Sequence, residues 1–582
     1  MANVNITLNG RAYSVTKGIT ILAASHETQK LHQEFRQVSI PTLYYLKGVN
    51  DIDDSGVCVV EADGKLVNAS VTRVSEGMEI QTMSEKCVQA RKEALGTILA
   101  HHNKDCINCF RSESCELQDL LHTYGFTNEP DLPESDLEEI DTSSLVLIRD
   151  NNKCIKCKRC INVCAKMQAV SAIAATGEGL DTVIRPSSPA GLAAASCVNC
   201  GQCVAVCPVG ALYEKDGTAA FKQAVSDPEK YVVVQVAPAV RASIGECYEF
   251  PIGLDWEGRL AAAIRELGVD QVFDTKFSAD LCIMEEANEL LEKMKKDEVL
   301  PMITSCCPGW IKYAEHFYPD LLEQISTCKS PQQMMGAVIK SYFAEKNQIP
   351  KENIVVVSVM PCTAKKFEIT RENESGVGVP DVDIVLTTNE LGKLLKEAEV
   401  QLAAMPNEPF DEPLGEGSGA GVIFGTTGGV MEAALRTAVE KLTGKELPNV
   451  EFQEVRGLNG VKEASYQIAD KEIKVAIVSG LANANQLLTR IKSGDAEYTF
   501  VEVMACPGGC INGGGQPHQS APLQVNVDVR EKRAQALYKN DAASEIRKSH
   551  ENPAIQTLYR EYLGNPGSEL AHTLLHTSYV RR

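Results

Sequence analysis

Two cysteine runs carry the sharpest chemical signal in this sequence of 582 residues. Cys154, Cys157, Cys160 and Cys164 follow C-x2-C-x2-C-x3-C, and Cys197, Cys200, Cys203 and Cys207 repeat the spacing, with Pro208 next. Thiolates are soft ligands, and this spacing suits a pair of 4Fe-4S cubes in which the fourth cysteine of each run crosses to the other cube. One cluster is expected on Cys154, Cys157, Cys160 and Cys207, the other on Cys197, Cys200, Cys203 and Cys164. Zinc also takes four thiolates, but paired zinc sites do not usually carry the three-plus-one spacing twice. Ala165 replaces the proline expected after the first run, a position that ligates nothing.

A second constellation lies upstream: His102-x3-Cys106-x2-Cys109-x5-Cys115, with His101 as an alternative ligand or an exposed helix residue. Zinc or an iron-sulfur cluster fits such donors equally well by spacing. Its place just before the twin runs favours another electron relay.

Three further runs, LPMITSCC (300–307), ENIVVVSVMPC (352–362) and AEYTFVEVMAC (496–506), are β-rich apolar stretches that each end in cysteine. Buried parallel strands read this way, and open α/β sheets bind ligands at the carboxyl ends of their strands. Cys307, Cys362 and Cys506 are therefore expected to converge, with Cys510 as a fourth thiolate. Any one of them alone would more often be core filler. The glycines of CPGGCINGGGQP (506–517) remove side chains where backbone must come close to something bulky.

The elements that must position these residues follow from periodicity and turns. VNITLNGRAYSV (4–15) alternates around Asn9-Gly10, ITILAASHETQ (19–29) reads as a helix, and CVVEADGKLVNASVT (58–72) forms a second hairpin about Asp63-Gly64. That order predicts a β-grasp domain over residues 1–83. Residues 84–125, helical through 122, form the His-Cys domain, and the polar stretch 127–144 reads as a linker or surface loop. The twin runs fall in a ferredoxin domain at 140–217, and strand-like runs alternating with amphipathic helices over 225–582 predict a large α/β domain with parallel sheets. The fold class is multidomain, α/β and α+β.

With 44% hydrophobic and 23% charged residues the chain can bury real cores. A net charge of −21 and the lack of a Lys/Arg-dense stretch speak against nucleic acid. No membrane span or signal-peptide pattern is found, so a cytoplasmic location is expected, where clustered cysteines more often bind metal than pair as disulfides.

TSCCPGW (304–310), MPCTAKKFE (360–368) and EVMACPGGCINGGGQP (502–517) resemble the three signature segments of FeFe-hydrogenases, and with the ferredoxin-like modules the resemblance covers nearly the whole chain. It implies reversible conversion of two protons and two electrons into H2. The implied cofactor is an H-cluster, in which a 4Fe-4S cube shares a cysteine with a two-iron unit bearing CO, cyanide and azadithiolate. By motif position Cys307, Cys362, Cys506 and Cys510 resemble the cube ligands, Cys510 the bridging one, and Cys306 the proton-donating thiol. A thiol suits that role when electrostatics lower its pKa toward neutral. Glu286, Glu289 and Ser326 match the rest of a proton route, with both glutamates on one helix face. Lys365 resembles the residue that hydrogen-bonds a cyanide, and Pro238, Gln332, Met360, Phe424 and Met504 are expected to line the pocket.

The N-terminal domain departs from the family. Long members often carry a 2Fe-2S cluster there, but Tyr44, Ser55 and Ser70 stand at ligand positions and only Cys58 is a cysteine, so no cluster is predicted. The expected total is an H-cluster and three further 4Fe-4S clusters. GEGSGA (415–420) precedes the strand-like VIFG, so direct NAD or flavin binding is not expected. An iron-sulfur partner subunit fits better, a formate dehydrogenase or CO2 reductase assembly being one home and soluble ferredoxin the alternative; maturation proteins would install the two-iron unit. A hydrogen sensor and an iron-sulfur assembly protein are the rival functions. Cys58, Cys87, Cys247, Cys282 and Cys328 read as structural thiols.

Overall fold

In the first hairpin Asn9 and Gly10 take φ values of 50° and 79° between strands Asn3–Leu8 and Arg11–Thr16, and Leu8 faces Arg11. Asp63 and Gly64 do the same, at 48° and 79°, between Val59–Ala62 and Lys65–Asn68. Positive φ at both central residues matches the twist of the flanking strands. Helix Ile21–Leu31 lies between the hairpins. A fifth strand, Glu79–Gln81, runs parallel to Asn3–Leu8 and antiparallel to Val59–Ala62, and so joins the hairpins into one sheet. At three residues it is too short to show a period in the sequence. The computed structural model describes residues 2–31, 40–126, 137–177, 181–296, 298–447, 449–468 and 471–582.

The expected helix over 84–122 is two helices, Glu85–Leu99 and Glu116–Thr123, with turns between them. Local bonds compete with the helix there: Asp105 N donates to Asn103 Oδ1 at 2.9 Å and Asn108 N to Asp105 Oδ1 at 3.2 Å. Of the expected linker 127–144, residues 127–136 lie outside the described residues, and the remainder is tied down. Asp141 bridges to Arg149, and its carboxylate accepts Leu192 N at 2.9 Å.

Two four-stranded sheets build the large region, as the expected α/β domain with parallel sheets requires. In the first, all parallel, the order is Gln271–Asp274, Tyr231–Val236, Ile354–Met360 and Ile384–Thr387. In the second, Met302–Ile303, Phe500–Met504 and Lys471–Ser479 are parallel and Val461–Ile468 is an antiparallel edge. Both faces of the central strands are buried, which accounts for their unbroken apolar sequences. VIFG is helical and not a strand: the backbone turns at Gly419–Val422 and again at Ile423–Gly425. A Cβ on Gly421 would lie 2.4 Å from the Lys276 carbonyl oxygen, so this glycine serves close packing on helix Lys276–Lys295. Among the described residues no helix is long and apolar enough to cross a membrane.

Candidate functional site

Cys362 lies just past Met360, the end of one parallel strand, and Cys506 just past Met504, the end of another in the second sheet. The run 300–307 contributes only a two-residue strand, Met302–Ile303, and Cys307 caps helix Pro308–Phe317. The carboxyl ends of the two sheets nonetheless meet around an apolar cavity lined by Cys306, Cys307, Cys362, Cys506 and Cys510. Lys365, Pro238, Gln332, Met360, Phe424 and Met504 complete much of its wall. Burial raises every one of these thiols, Cys362 up to about 12 and Cys506 well above its ordinary value. Four thiols gathered in apolar surroundings suit a metal that binds them as thiolates, and so fit a cube.

Lys365 Nζ donates to both oxygens of Glu368 at 3.0 and 2.9 Å and to the Cys306 carbonyl at 3.2 Å. Glu368 is held in turn by Ser330 Oγ at 2.8 Å and Gln332 Nε2 at 3.0 Å. It closes the segment MPCTAKKFE, and its i,i+3 spacing from Lys365 was the available signal for a residue the sequence reading left out. The Cys306 thiol is pushed up, first by burial and then by Glu286 once that acid ionises, rather than down as expected, because the cavity is apolar and Lys365 is engaged by Glu368.

Behind Cys306, Glu286 is fully buried and neither carboxylate oxygen has a hydrogen-bond partner among the described residues. Ser326 Oγ donates to Glu289 Oε2 at 2.8 Å, and Lys293 Nζ lies 3.6 Å from Glu289. Lys293, one turn beyond Glu289 on the same helix, was also missed. Cys282 and Cys328 pack beside these acids as buried thiols.

The twin runs come together in space. Cys160 feels the charges of Cys154 and Cys207, while Cys200 feels those of Cys164 and Cys197 and also of Cys362. Gly514 makes the approach possible: a Cβ there would lie 2.5 Å from Gly201 Cα, so the 197–207 run packs backbone to backbone on the Cys510 segment. Thr363 Oγ1 donates to Asn199 O at 2.7 Å and Gln202 Nε2 to Asn512 O at 2.9 Å across the same seam. Farther out, His102 is buried and His101 exposed. His102 Nδ1 has no hydrogen-bond partner among the described residues, and burial, then Lys153 and Lys104, push its ring down to about 4. A neutral imidazole with a free buried nitrogen, near Cys106, Cys109 and Cys115 in sequence, is a fitting metal donor.

Residues 230–514 match the family described as "Iron only hydrogenase large subunit, C-terminal domain", and 527–582 match "Iron hydrogenase small subunit". The NADP-reducing hydrogenase subunit HndD of Solidesulfovibrio fructosivorans is 46% identical over 100% of both chains. The chain belongs to the FeFe-hydrogenase family. It is an iron-only hydrogenase, an oxidoreductase acting on H2. Iron hydrogenase 1 of Clostridium pasteurianum is 40% identical over 99% of this hydrogenase and 100% of its own length. Among solved structures, an apo variant of HydA1 from Chlamydomonas reinhardtii superposes with a TM-score of 0.56 at 44% identity, covering 63% of this chain and 99% of that one. Residues 153–211 match a "4Fe-4S dicluster domain" and 91–130 the "NADH-ubiquinone oxidoreductase-G iron-sulfur binding region". Residues 1–85 match a "2Fe-2S iron-sulfur cluster binding domain". The donors present there do not fit that group: Cys58 is a lone buried thiol, and the Ser55 and Ser70 hydroxyls are hydrogen-bonded to Asp53 and Asn68.

Proposed function

We propose that the chain interconverts two protons, two electrons and H2 at an H-cluster held by Cys307, Cys362, Cys506 and Cys510, Cys510 being the bridging ligand. The observation that carries this reading is one apolar cavity shared by those four cysteines, Cys306 and Lys365. When bound, the H-cluster supplies the metal chemistry of H2 formation and cleavage. The chain supplies the protons' path and the site's shape. In this reading Cys306 carries a proton at the cavity wall, Glu286 exchanges it behind, and Glu289 with Ser326, 2.8 Å apart, continues the route toward Lys293. The Lys365 ammonium, steadied by Glu368, meets an anionic ligand at the cavity.

Three further 4Fe-4S clusters would relay electrons in the order His102 site, Cys154 run, Cys197 run. The support is proximity: a Cβ on Gly210 would lie 2.5 Å from Cys109 Sγ, Cys203 feels the charge of Cys160, and Cys506 feels that of Cys200. The outer end opens to solvent at Ile107, between Cys106 and Cys109 and 93% exposed, which suits docking of an iron-sulfur partner subunit. HndD is by name a subunit of an NADP-reducing hydrogenase, which favours a multisubunit assembly. A formate dehydrogenase or CO2 reductase assembly is the specific home proposed, with soluble ferredoxin as the alternative partner.

A second reading, iron-sulfur assembly, has a relative behind it: cytosolic iron-sulfur assembly component 3 of Bos taurus is 33% identical over 67% of this chain. Cys306, Glu286, Lys365 and Cys510 together favour hydrogen chemistry instead. Viologen-coupled H2 uptake and evolution, on anaerobic protein loaded with the two-iron unit, tests the choice. Turnover that collapses in C306A with iron content intact is expected; no turnover in the loaded wild type would overturn the enzyme reading.

A further inference from the structure

The loop that bears the vanished N-terminal ligand positions is wound around a carboxylate. Asp53 is fully buried; its Oδ2 accepts the backbone N–H groups of Leu43 at 2.7 Å, Tyr44 at 3.0 Å and Tyr45 at 3.2 Å. Its Oδ1 accepts Ser55 N at 3.1 Å and the Ser55 hydroxyl, and its own N–H donates to Ser70 Oγ at 3.0 Å. A buried carboxylate that collects this many donors organises a loop much as a central metal group would.

The loop's outer side is bonded to the neighbouring ferredoxin ligand turn. Tyr44 Oη donates to Ile155 O, and Asn50 Nδ2 donates to Cys157 O at 3.1 Å and back to Tyr44 O at 2.9 Å. In return Arg159 Nη2 donates to Leu43 O and Tyr45 O, both at 2.8 Å. That turn needs holding, because Lys156 and Lys158 sit at φ 61° and 63°, a region disfavoured for residues with a Cβ. The equivalent turn of the second run has Asn199 and Gly201 at 60° and 67°. It is held by the catalytic domain instead, through Thr363 on Asn199 O and Gln202 on Asn512 O. Arg159 and Gln202 occupy the same place in the two runs, and each donates to backbone carbonyls of the adjoining domain.

We propose that the loop Leu43–Ser55 is a cluster-free clamp: Asp53 shapes it from within, and Tyr44 and Asn50 fix the Cys154–Cys160 ligand turn, setting the reduction potential of a cluster in the next domain. This rests on the reading of Cys154, Cys157, Cys160 and Cys207 as 4Fe-4S ligands. Tyr44, Asn50 and Asp53 are thus positioning residues. Hydrogen bonds and backbone geometry around a cluster are among the levers that set its potential.

The test is an EPR-monitored redox titration with iron analysis on the full chain. C58S is expected to keep the wild-type iron content and every signal. Y44F and N50A, and more strongly their combination, are expected to shift the midpoint of one 4Fe-4S signal while the H-cluster signals stay in place. D53A is expected to give the same shift, and the Tyr44 and Asn50 variants leave the Asp53 knot intact should D53A fail to fold. Loss of a 2Fe-2S signal in C58S, or unshifted midpoints in the Y44F/N50A double variant, would overturn the clamp. C154A separates the two readings: unchanged iron content there would sink the ligand assignment itself, whatever the clamp does.

Discussion

Glu286 and Glu289 lie three residues apart on helix Lys276–Lys295, yet their carboxyl groups meet opposite surroundings. Glu289 accepts Ser326 Oγ at 2.8 Å and faces Lys293 at 3.6 Å, whereas neither oxygen of Glu286 has a hydrogen-bond partner among the described residues. Burial, then the charges of Glu289 and Glu502, push Glu286 up to about 8. At neutral pH Glu286 is an uncharged acid beside a partly buried, hydrogen-bonded carboxyl group, an arrangement in which environment assigns different roles to like side chains.

That shift has a pH signature. The folded chain keeps the Glu286 proton up to about 8, while the unfolded chain releases it near 4.5. Between those values the native state binds more protons, so stability falls as pH rises through the window. Thermal unfolding of the wild type is expected to show this decline and E286Q to lack it. Infrared spectra near neutral pH are expected to carry a protonated-carboxyl band that E286Q loses. Turnover in E286Q should fall by about 10²-fold or more, as for a lost general acid.

The outer relay makes a separate prediction. Ile107 is 93% exposed between Cys106 and Cys109, so I107D adds a charge where a partner would dock without touching the cavity. Turnover with small viologens should stay near wild type, while turnover with a protein iron-sulfur partner should fall by roughly 10-fold, the factor a loss of about 1.4 kcal/mol of docking energy gives. Equal losses in both assays would place the port elsewhere.

The cysteines were legible because their spacing is set by cluster geometry and survives any surrounding fold. The strand ends were legible for a similar reason, since buried parallel strands leave uninterrupted apolar runs. What escaped was set by tertiary bonds. The turns holding His102 and Cys106 arise from Asn103 and Asp105 side chains competing with a helix, and the tethering of Asp141 depends on Arg149 and Leu192. Asp53 was invisible as an organiser because its donors, at Leu43, Tyr44 and Tyr45, are backbone groups that carry no sequence signature.

Gly514 offers a test of the seam between relay and cavity. A Cβ added there would meet Gly201 Cα at 2.5 Å, Gly201 C at 2.6 Å and Cys200 O at 2.7 Å, all backbone that cannot swing aside. G514A must therefore push the 197–207 run away from the Cys506–Cys510 segment. Viologen-coupled turnover is expected to drop on the order of 100-fold, the scale of a misplacement near 1 Å, with iron content preserved. Magnetic interaction between the adjacent clusters in EPR should weaken in parallel; full activity would mean that electrons do not cross this seam.

Four segments of the chain meet at Glu116. Its oxygens take Arg159 Nη1 and Nη2, each at 2.9 Å, and Oε1 also accepts Ala521 N at 3.2 Å, with His518 Nε2 at 3.4 Å. Arg159 reaches on to the N-terminal loop at Leu43 and Tyr45. Burial raises the Glu116 pKa, but Arg159 and His518 outweigh it and hold the carboxyl at about 2, below its ordinary 4.5. The native state therefore binds fewer protons, and the contribution of this group is present above about 4.5 and lost as pH falls toward about 2. E116Q leaves Arg159 buried without its counter-charge and is expected to cost about 3–5 kcal/mol in denaturant unfolding. The double variant E116Q/R159M should recover part of that loss, because removing both charges removes the uncompensated one. A double variant no better than E116Q would show that Arg159 acts chiefly through the Leu43 and Tyr45 carbonyls, and would shift the weight of the junction from the ion pair to the N-terminal loop.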